Sequence, residues 1–279
     1  MNVTSLTLKN AEIEKLKLFI SNEGLKETKP TNKYEMLRVK DGKISIVLYS
    51  SGKLVHNGSD ESKKVVDAVL EREELYDYIL GSDETGKGEW YGPLVVVATA
   101  LSPEDILNLR KLGVADSKTI KKSRLMDMAG KLRKMNFEHQ TVVLLPETYN
   151  DLYSQFQREN KNLNDMMAWA HSAAIQKLLK KIQFKRAKVV IDKFDLEKTE
   201  KRLSKLDRTN LEIIQKSGAE SEIAVAAASI IAKYIFEKEV DNLNMKYCVD
   251  LRSSKLQDIK QDLLPEVAKI HFKNVAKYL

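Results

Sequence analysis

Apolar and polar positions change period several times in the first 75 residues. Residues 5–8 alternate like a short strand, while Ile13, Leu16, Leu18, Phe19 and Ile20 recur across 11–22 as a helix requires. After a Pro/Thr/Asn break, residues 34–39, 43–49 and 53–57 read as three strands of a meander. Asp41-Gly42 and Ser51-Gly52 supply the turn residues between them. Residues 62–74 form a charged segment with an apolar stripe at Val65, Val66, Val69 and Leu70, predicting a second helix. The expectation for residues 1–75 is a small α+β domain with an antiparallel sheet.

From Tyr76 the pattern changes to strands alternating with long helical stretches, the arrangement of an α/β domain with a covered sheet, assigned to residues 76–279. Strands are predicted at 78–83, 94–100, 137–145 and 188–192. Across 164–182, Met167, Ala170, Ala174, Ile175, Leu178 and Ile182 fall on one helical face, so Met167 and Trp169 are read as packing residues. Residues 219–236 are alanine-rich and apolar nearly all round, as in a helix buried against a sheet.

Composition narrows the function classes. Lysine and arginine number 47 against 40 acidic residues, a formal charge of +7, which suits a polyanionic partner and equally suits ordinary solubility. Cys248 is the only cysteine, which excludes an intramolecular disulfide and a Cys-based zinc site and fits a reducing cytoplasmic setting. Residues 1–18 lack the apolar core of a signal peptide, and the longest apolar run, 223–232, is about half of what a bilayer requires, so no membrane association is expected. The four histidines (His56, His139, His171, His271) have no zinc-ligand spacing, so any metal is expected to sit mainly among oxygens.

The candidate chemistry is carboxylate chemistry. Gly81-Ser82-Asp83-Glu84-Thr85-Gly86-Lys87-Gly88 follows an apolar strand, and Gly86 and Gly88 are expected to turn the chain so that Glu84 joins Asp83 on one side. Two such carboxylates suit one hard cation, although Asp-Glu beside glycines also describes a polar turn. Lys188-Val189-Val190-Ile191-Asp192 ends a strand at the carboxyl edge where α/β sites lie. Gly218-Ala219-Glu220-Ser221-Glu222 opens the alanine-rich helix. Glu220 and Glu222 would be about 200° apart on that helix, so one of the two is expected at the cluster, unless both merely favour the helix N-terminus.

Together, Asp83-Glu84-x-Gly86-x-Gly88 with Gly92-Pro93, the strand ending at Asp192, Asp116-Ser117-Lys118, and Ala226-Ala227-Ala228-Ser229-Ile230-Ile231-Ala232-Lys233 resemble ribonucleases HII and HIII. Three features resemble HIII in particular. They are Leu48-Tyr49-Ser50-Ser51-Gly52-Lys53-Leu54-Val55-His56-Asn57-Gly58, Met167-Ala168-Trp169-Ala170-His171 and Val267-Ala268-Lys269-Ile270-His271-Phe272-Lys273-Asn274. The resemblance implies an RNase H-like domain with a central mixed sheet after a TBP-like N-terminal domain that grips substrate. It implies an endoribonuclease that cuts the RNA strand of RNA–DNA hybrids, leaving 5′-phosphate and 3′-hydroxyl ends, and that works as a monomer.

By position, the resemblance makes Asp83, Glu84 and Asp192 metal-binding catalytic carboxylates and Glu220 the fourth, with Glu222 as its alternative. Four clustered carboxylates repel one another unless divalent cations lie between them, and oxygen ligands suit Mg²⁺ or Mn²⁺. Amides around Gly86, Lys87 and Gly88 are expected to read the 2′-OH, with Lys87, Ser117 and Lys118 on phosphates. Lys87 stands where HIII has a small polar residue and HII a basic one, which implies additional cleavage at single ribonucleotides in DNA. Two other readings are a noncatalytic nucleic-acid-binding protein on a nuclease scaffold and an RNase H-like transposase or exonuclease. The latter leaves the N-terminal meander and the C-terminal tail unexplained.

Overall fold

A computed structural model describes residues 3–70, 75–114, 122–192, 210–216, 219 and 222–279. The chain divides into two units, Met1–Leu75 with Ser102–Ile120, and Tyr76–Leu101 with Lys121–Leu279.

In the first unit, β1 (Thr4–Thr7), β2 (Glu35–Asp41), β3 (Ile44–Tyr49) and β4 (Lys53–His56) form an antiparallel sheet in the order β1-β4-β3-β2. Helices α1 (Asn10–Asn22) and α2 (Asp60–Val69) share its core, in which Leu16, Ile20, Val39, Ile46, Leu48 and Leu54 are buried. Their apolar spacing created the stripes legible in the sequence. Helix α2 is shorter than expected because Leu70 is already extended, and the remainder of the predicted stretch, 71–74, lies outside the described residues.

Helix α3 (Pro103–Lys111) also belongs here, although it follows a strand of the other unit. Arg110 donates from Nη1 and Nη2 to Glu12 Oε1 and Oε2 at 2.7 and 2.6 Å, and from Nη2 to the Thr7 carbonyl at 3.1 Å. Both side chains are buried, so the bidentate geometry offsets the desolvation of two charges.

The second unit is built on β5 (Tyr78–Thr85), β6 (Leu94–Leu101), β7 (Glu138–Leu144), β8 (Ala187–Asp192) and β9 (Leu211–Lys216), in the order β7-β6-β5-β8-β9. The pairs β7-β6 and β6-β5 are antiparallel, while β5-β8 and β8-β9 are parallel, so the sheet is mixed as expected. Helices α4 (Lys122–Lys134), α5 (Pro146–Arg158), α6 (Leu163–Leu179) and α7 (Ile223–Tyr247) accompany it.

Alternation along the strands assigns the helices to faces. Leu80, Val96, Ala98, Val189 and Ile191 share a core with Met167, Ala170 and Ala174 of α6. The other face packs on α7: a Cβ at Gly81 would lie 2.2 Å from the Val225 amide nitrogen, and Thr99 Oγ1 donates to the Ala224 carbonyl at 2.8 Å. Helix α7 corrects the expected 219–236 at both ends. Glu222 is its extended N-cap, so the helical angle between Glu220 and Glu222 does not apply. Beyond 236 the helix continues to Tyr247, and Val240 and Leu243 are buried on its inner face. No helix among the described residues is long and apolar enough to cross a membrane.

Candidate active site

Strand β5 runs straight through Asp83 and Glu84 to Thr85, and the turn begins only at Gly86. Consecutive strand residues face opposite ways, so the two carboxylates have different neighbours. Asp83 is hydrogen-bonded by Ser229 of α7, whereas Glu84 Oε2 lies 3.2 Å from His171 Nε2 on α6. The strand's period of two outlasts the Asp-Glu pair, so the chain turns only after Glu84, and the Glu84 charge still acts on Asp83.

His171 is almost fully buried and links two residues of the same strand face. Its Nδ1 is 2.8 Å from Ser82 Oγ, which is itself 3.0 Å from the Val97 carbonyl. Both ring nitrogens are thus engaged, Nδ1 with Ser82 and Nε2 with Glu84.

The two carboxyls are shifted in opposite directions. Burial pushes the Asp83 carboxyl up to about 6, with the Glu84 charge adding to the rise and the Ser229 hydrogen bond opposing it. Burial works on Glu84 in the same sense, but the hydrogen bond and charge of His171, together with Lys87, hold it below the ordinary carboxylate value. Lys87 Nζ lies 3.8 Å from Glu84 Oε1, so the lysine expected on a phosphate also faces the carboxylate.

The parallel register of β5 and β8 ends at Ser82↔Ile191, and Asp192, whose side chain lies outside the described part, is the last residue of β8, one position beyond it. That is the strand end where the sequence expected it. Glu220, Ser117 and Lys118 lie outside the described residues. Among the described residues no three His, Cys, Asp or Glu side chains stand together as a metal-holding group, and Asp83 with Glu84 is the described part of the expected set.

The two glycines of the turn differ. Gly86 has φ +92°, and a Cβ there would lie 2.2 Å from the Pro93 carbonyl, so both backbone and space demand glycine. At Gly88 a Cβ would meet nothing within 4 Å. Open space beside an exposed glycine leaves its backbone approachable. Trp90 and Tyr91 pack edge-on with ring centroids 5.2 Å apart, and Tyr91 leans on Phe236 at 6.2 Å, in line with the packing role expected for them.

Sequence reasoning assigned no role to His171, Ser82 or Ser229. His171 stood in a quoted motif, and its signal was a histidine four residues beyond Met167 on the apolar face of a helix. Ser229 was a lone hydroxyl in an alanine run.

A family model described as Ribonuclease HII matches residues 80–275. The Ribonuclease HIII of Protochlamydia amoebophila (strain UWE25) is 29% identical over 99% of this chain and 93% of its own length. That of Chlamydia felis (strain Fe/C-56) is 31% identical over 96% of this chain and 94% of its own. Among solved structures, Bst-RNase HIII in complex with Mn²⁺ aligns with a TM-score of 0.63 and 23% identity, covering 99% of this chain and 98% of that one. The ribonuclease H2 from Pyrococcus horikoshii OT3 gives 0.59 and 21%, over 72% of this chain and 96% of that one. At these identities the two structures establish the fold.

Proposed function

The chain belongs to the ribonuclease HII family, and from that premise we propose that it hydrolyses the RNA strand of RNA–DNA hybrids at a divalent-cation site built on Asp83, Glu84, Asp192 and Glu220. The observation that carries the reading is the partly buried Asp83-Glu84 pair, one carboxyl raised by desolvation and the other's charge, the second held ionised by His171 and Lys87. Two adjacent carboxyls, one of them raised by its neighbour's charge, are relieved by a cation bound between them. The donors are oxygens and the nearby imidazole is already engaged, so the residues fit Mg²⁺ or Mn²⁺, the latter being the ion held by Bst-RNase HIII.

When bound, a pair of such ions supplies an activated water and stabilises the leaving O3′. The chain's own residues do the rest. Ser229 orients Asp83, and His171 fixes the Glu84 rotamer while Ser82 fixes the ring. The amides of residues 86–88 approach the 2′-OH, which distinguishes an RNA strand from DNA. Lys87 balances charge between Glu84 and a scissile phosphate, with Ser117 and Lys118 on neighbouring phosphates. Breaking the P–O3′ bond leaves 5′-phosphate and 3′-hydroxyl ends. The basic Lys87 extends the proposal to single ribonucleotides embedded in DNA, and the monomeric, cytoplasmic setting remains part of it.

The test is cleavage of labelled RNA–DNA hybrid, RNA duplex and DNA duplex with and without Mg²⁺ or Mn²⁺. Divalent-dependent cutting of the hybrid's RNA strand alone is expected. Binding of all three without cleavage would replace this reading with that of a nucleic-acid-binding protein.

A further inference from the structure

Behind the glycine turn lies a lysine that the reaction as described does not use. Lys269 is fully buried, and its Nζ donates to the carbonyls of Glu89 at 2.9 Å and Tyr91 at 3.0 Å. Its own amide donates to the Trp90 carbonyl at 2.7 Å, and the Gly92 amide donates to the Val267 carbonyl at 3.0 Å. An ammonium has three protons: two are spent on the carbonyls, and the Nζ stands 5.6 Å from the centroid of the Tyr149 ring. Both hydrogen-bond acceptors are backbone rather than carboxylate, so the desolvated charge is balanced by dipoles and a ring face. Burying a charge in this way is costly where an apolar side chain would fill the space. What the ammonium gains is a grip on two carbonyls of one loop, Glu89 and Tyr91, on either side of the one that the backbone amide holds.

That loop continues directly from the turn, where the Glu89 amide donates to the Gly86 carbonyl at 3.3 Å. We propose that Lys269 is a positioning residue that holds residues 86–91 in the shape that meets the nucleic acid, acting through Glu89 and Tyr91 without touching substrate itself. The inference rests on the reading that the turn contacts the hybrid. Asn150 anchors the same tail from the other side, donating to the carbonyls of Pro265 and Ala268 and accepting from the Ile270 amide, but the bonds it makes to the tail do not reach the turn. Loss of Asn150 therefore loosens the tail while leaving the Lys269 ammonium and both of its acceptors in place.

Protonation supports the role. Burial draws the Lys269 ammonium down to about 7, against the opposing pull of the Glu89 charge. The groups facing it are Glu89 from the loop, Tyr149 from α5, whose phenol burial keeps neutral, and His271 from the tail, which burial and the Lys269 charge hold low. A neutral amine keeps two donors and loses their charge assistance, so the turn slackens as pH rises through 7.

The experiment compares steady-state hybrid cleavage by the full-length wild type, Lys269→Met, Asn150→Ser and Gly88→Val, with melting temperatures alongside. Lys269→Met is expected to raise KM about ten-fold at pH 6.5 with little change in kcat, as loss of charge-assisted bonds in a binding element predicts. The wild-type KM is expected to rise between pH 6 and 8, and Lys269→Met should abolish that rise. Asn150→Ser should lower the melting temperature while leaving KM unchanged. Gly88→Val probes the contact itself, since its Cβ meets no protein atom. If Gly88→Val raises KM but Lys269→Met does not, the positioning role is wrong and the contact stands. If neither changes KM, the turn does not meet the hybrid and this inference falls with that reading. Equal KM effects in Lys269→Met and Asn150→Ser reduce Lys269 to a structural residue.

Discussion

His171 Nε2 lies 3.2 Å from Glu84 Oε2 while its Nδ1 lies 2.8 Å from Ser82 Oγ, so one buried ring spans positions i and i+2 of a single strand face. The carboxylate is thereby oriented by a helix that carries none of the other expected site residues. Replacing the ring removes a hydrogen bond and leaves Glu84 free to change rotamer.

His171→Ala is expected to weaken Mn²⁺ binding about 10- to 100-fold, the usual effect of losing a residue that orients a metal ligand. Titration calorimetry of the metal into purified variant measures this. Wild-type affinity in a folded His171→Ala protein would remove His171 from the site.

Asp83→Asn should abolish hybrid cleavage while stabilising the metal-free protein. The folded-state pKa is raised to about 6, so the stability contributed by the protonated group is present below the unfolded value near 4 and is lost as pH rises through 6. Asparagine resembles the neutral form at every pH. The variant should be more stable than metal-free wild type by about 1–3 kcal/mol at pH 8, with the gap closing towards pH 4. Urea denaturation in EDTA at the two pH values reads the difference, and a destabilised variant at pH 8 contradicts the burial argument.

Gly86→Ala and Gly88→Ala separate folding from contact. The first demands a positive φ and displaces the Pro93 carbonyl, and is expected to cost about 2–4 kcal/mol. The second should stay within about 0.5 kcal/mol of wild type, as open surface sites do. Thermal melts of both variants decide it.

Lys87→Thr is expected to reduce cleavage beside a single embedded ribonucleotide more than cleavage of a long hybrid, because a run of ribonucleotides offers compensating contacts. Relative kcat/KM on the two substrates is the measurement. Wild-type protein that cuts long hybrids and leaves the single-ribonucleotide duplex intact with both metals overturns the extended specificity.

Arg110→Met strands Glu12 as a buried charge and is expected to destabilise the first unit by about 3–5 kcal/mol. The double variant Arg110→Met, Glu12→Leu should recover most of that loss. Failure of the second change to rescue would show that Arg110 acts by another route.

Strong period changes made β1 to β8 and helices α1 and α6 legible, whereas the Asp83-Glu84 pair, which also describes a polar turn, stood out through its resemblance to a family motif. What stayed hidden depends on tertiary partners. Strand β9 alternates too little, with Ile213-Ile214 between Glu212 and Gln215, to stand out from a loop. The outer half of α7 carries Glu237, Lys238 and Glu239 off its buried side and buries only every third or fourth residue. Neither the opposed facing of Asp83 and Glu84 nor the involvement of His171 is encoded locally, since both follow from which helix covers which face.

Glu12 and Arg110 are separated by 98 residues, and between them the chain completes β5 and β6 of the other unit. The first unit is therefore discontinuous along the gene's reading order. During synthesis its sheet and first two helices emerge early, yet Glu12 waits for α3, which leaves the ribosome only after the Asp83-Glu84 strand and its antiparallel neighbour have been made. Until then Arg110 is not available to Glu12 and the apolar surface that α3 covers is open, a high-contact-order step that ties maturation of the first unit to the translation of β5 and β6.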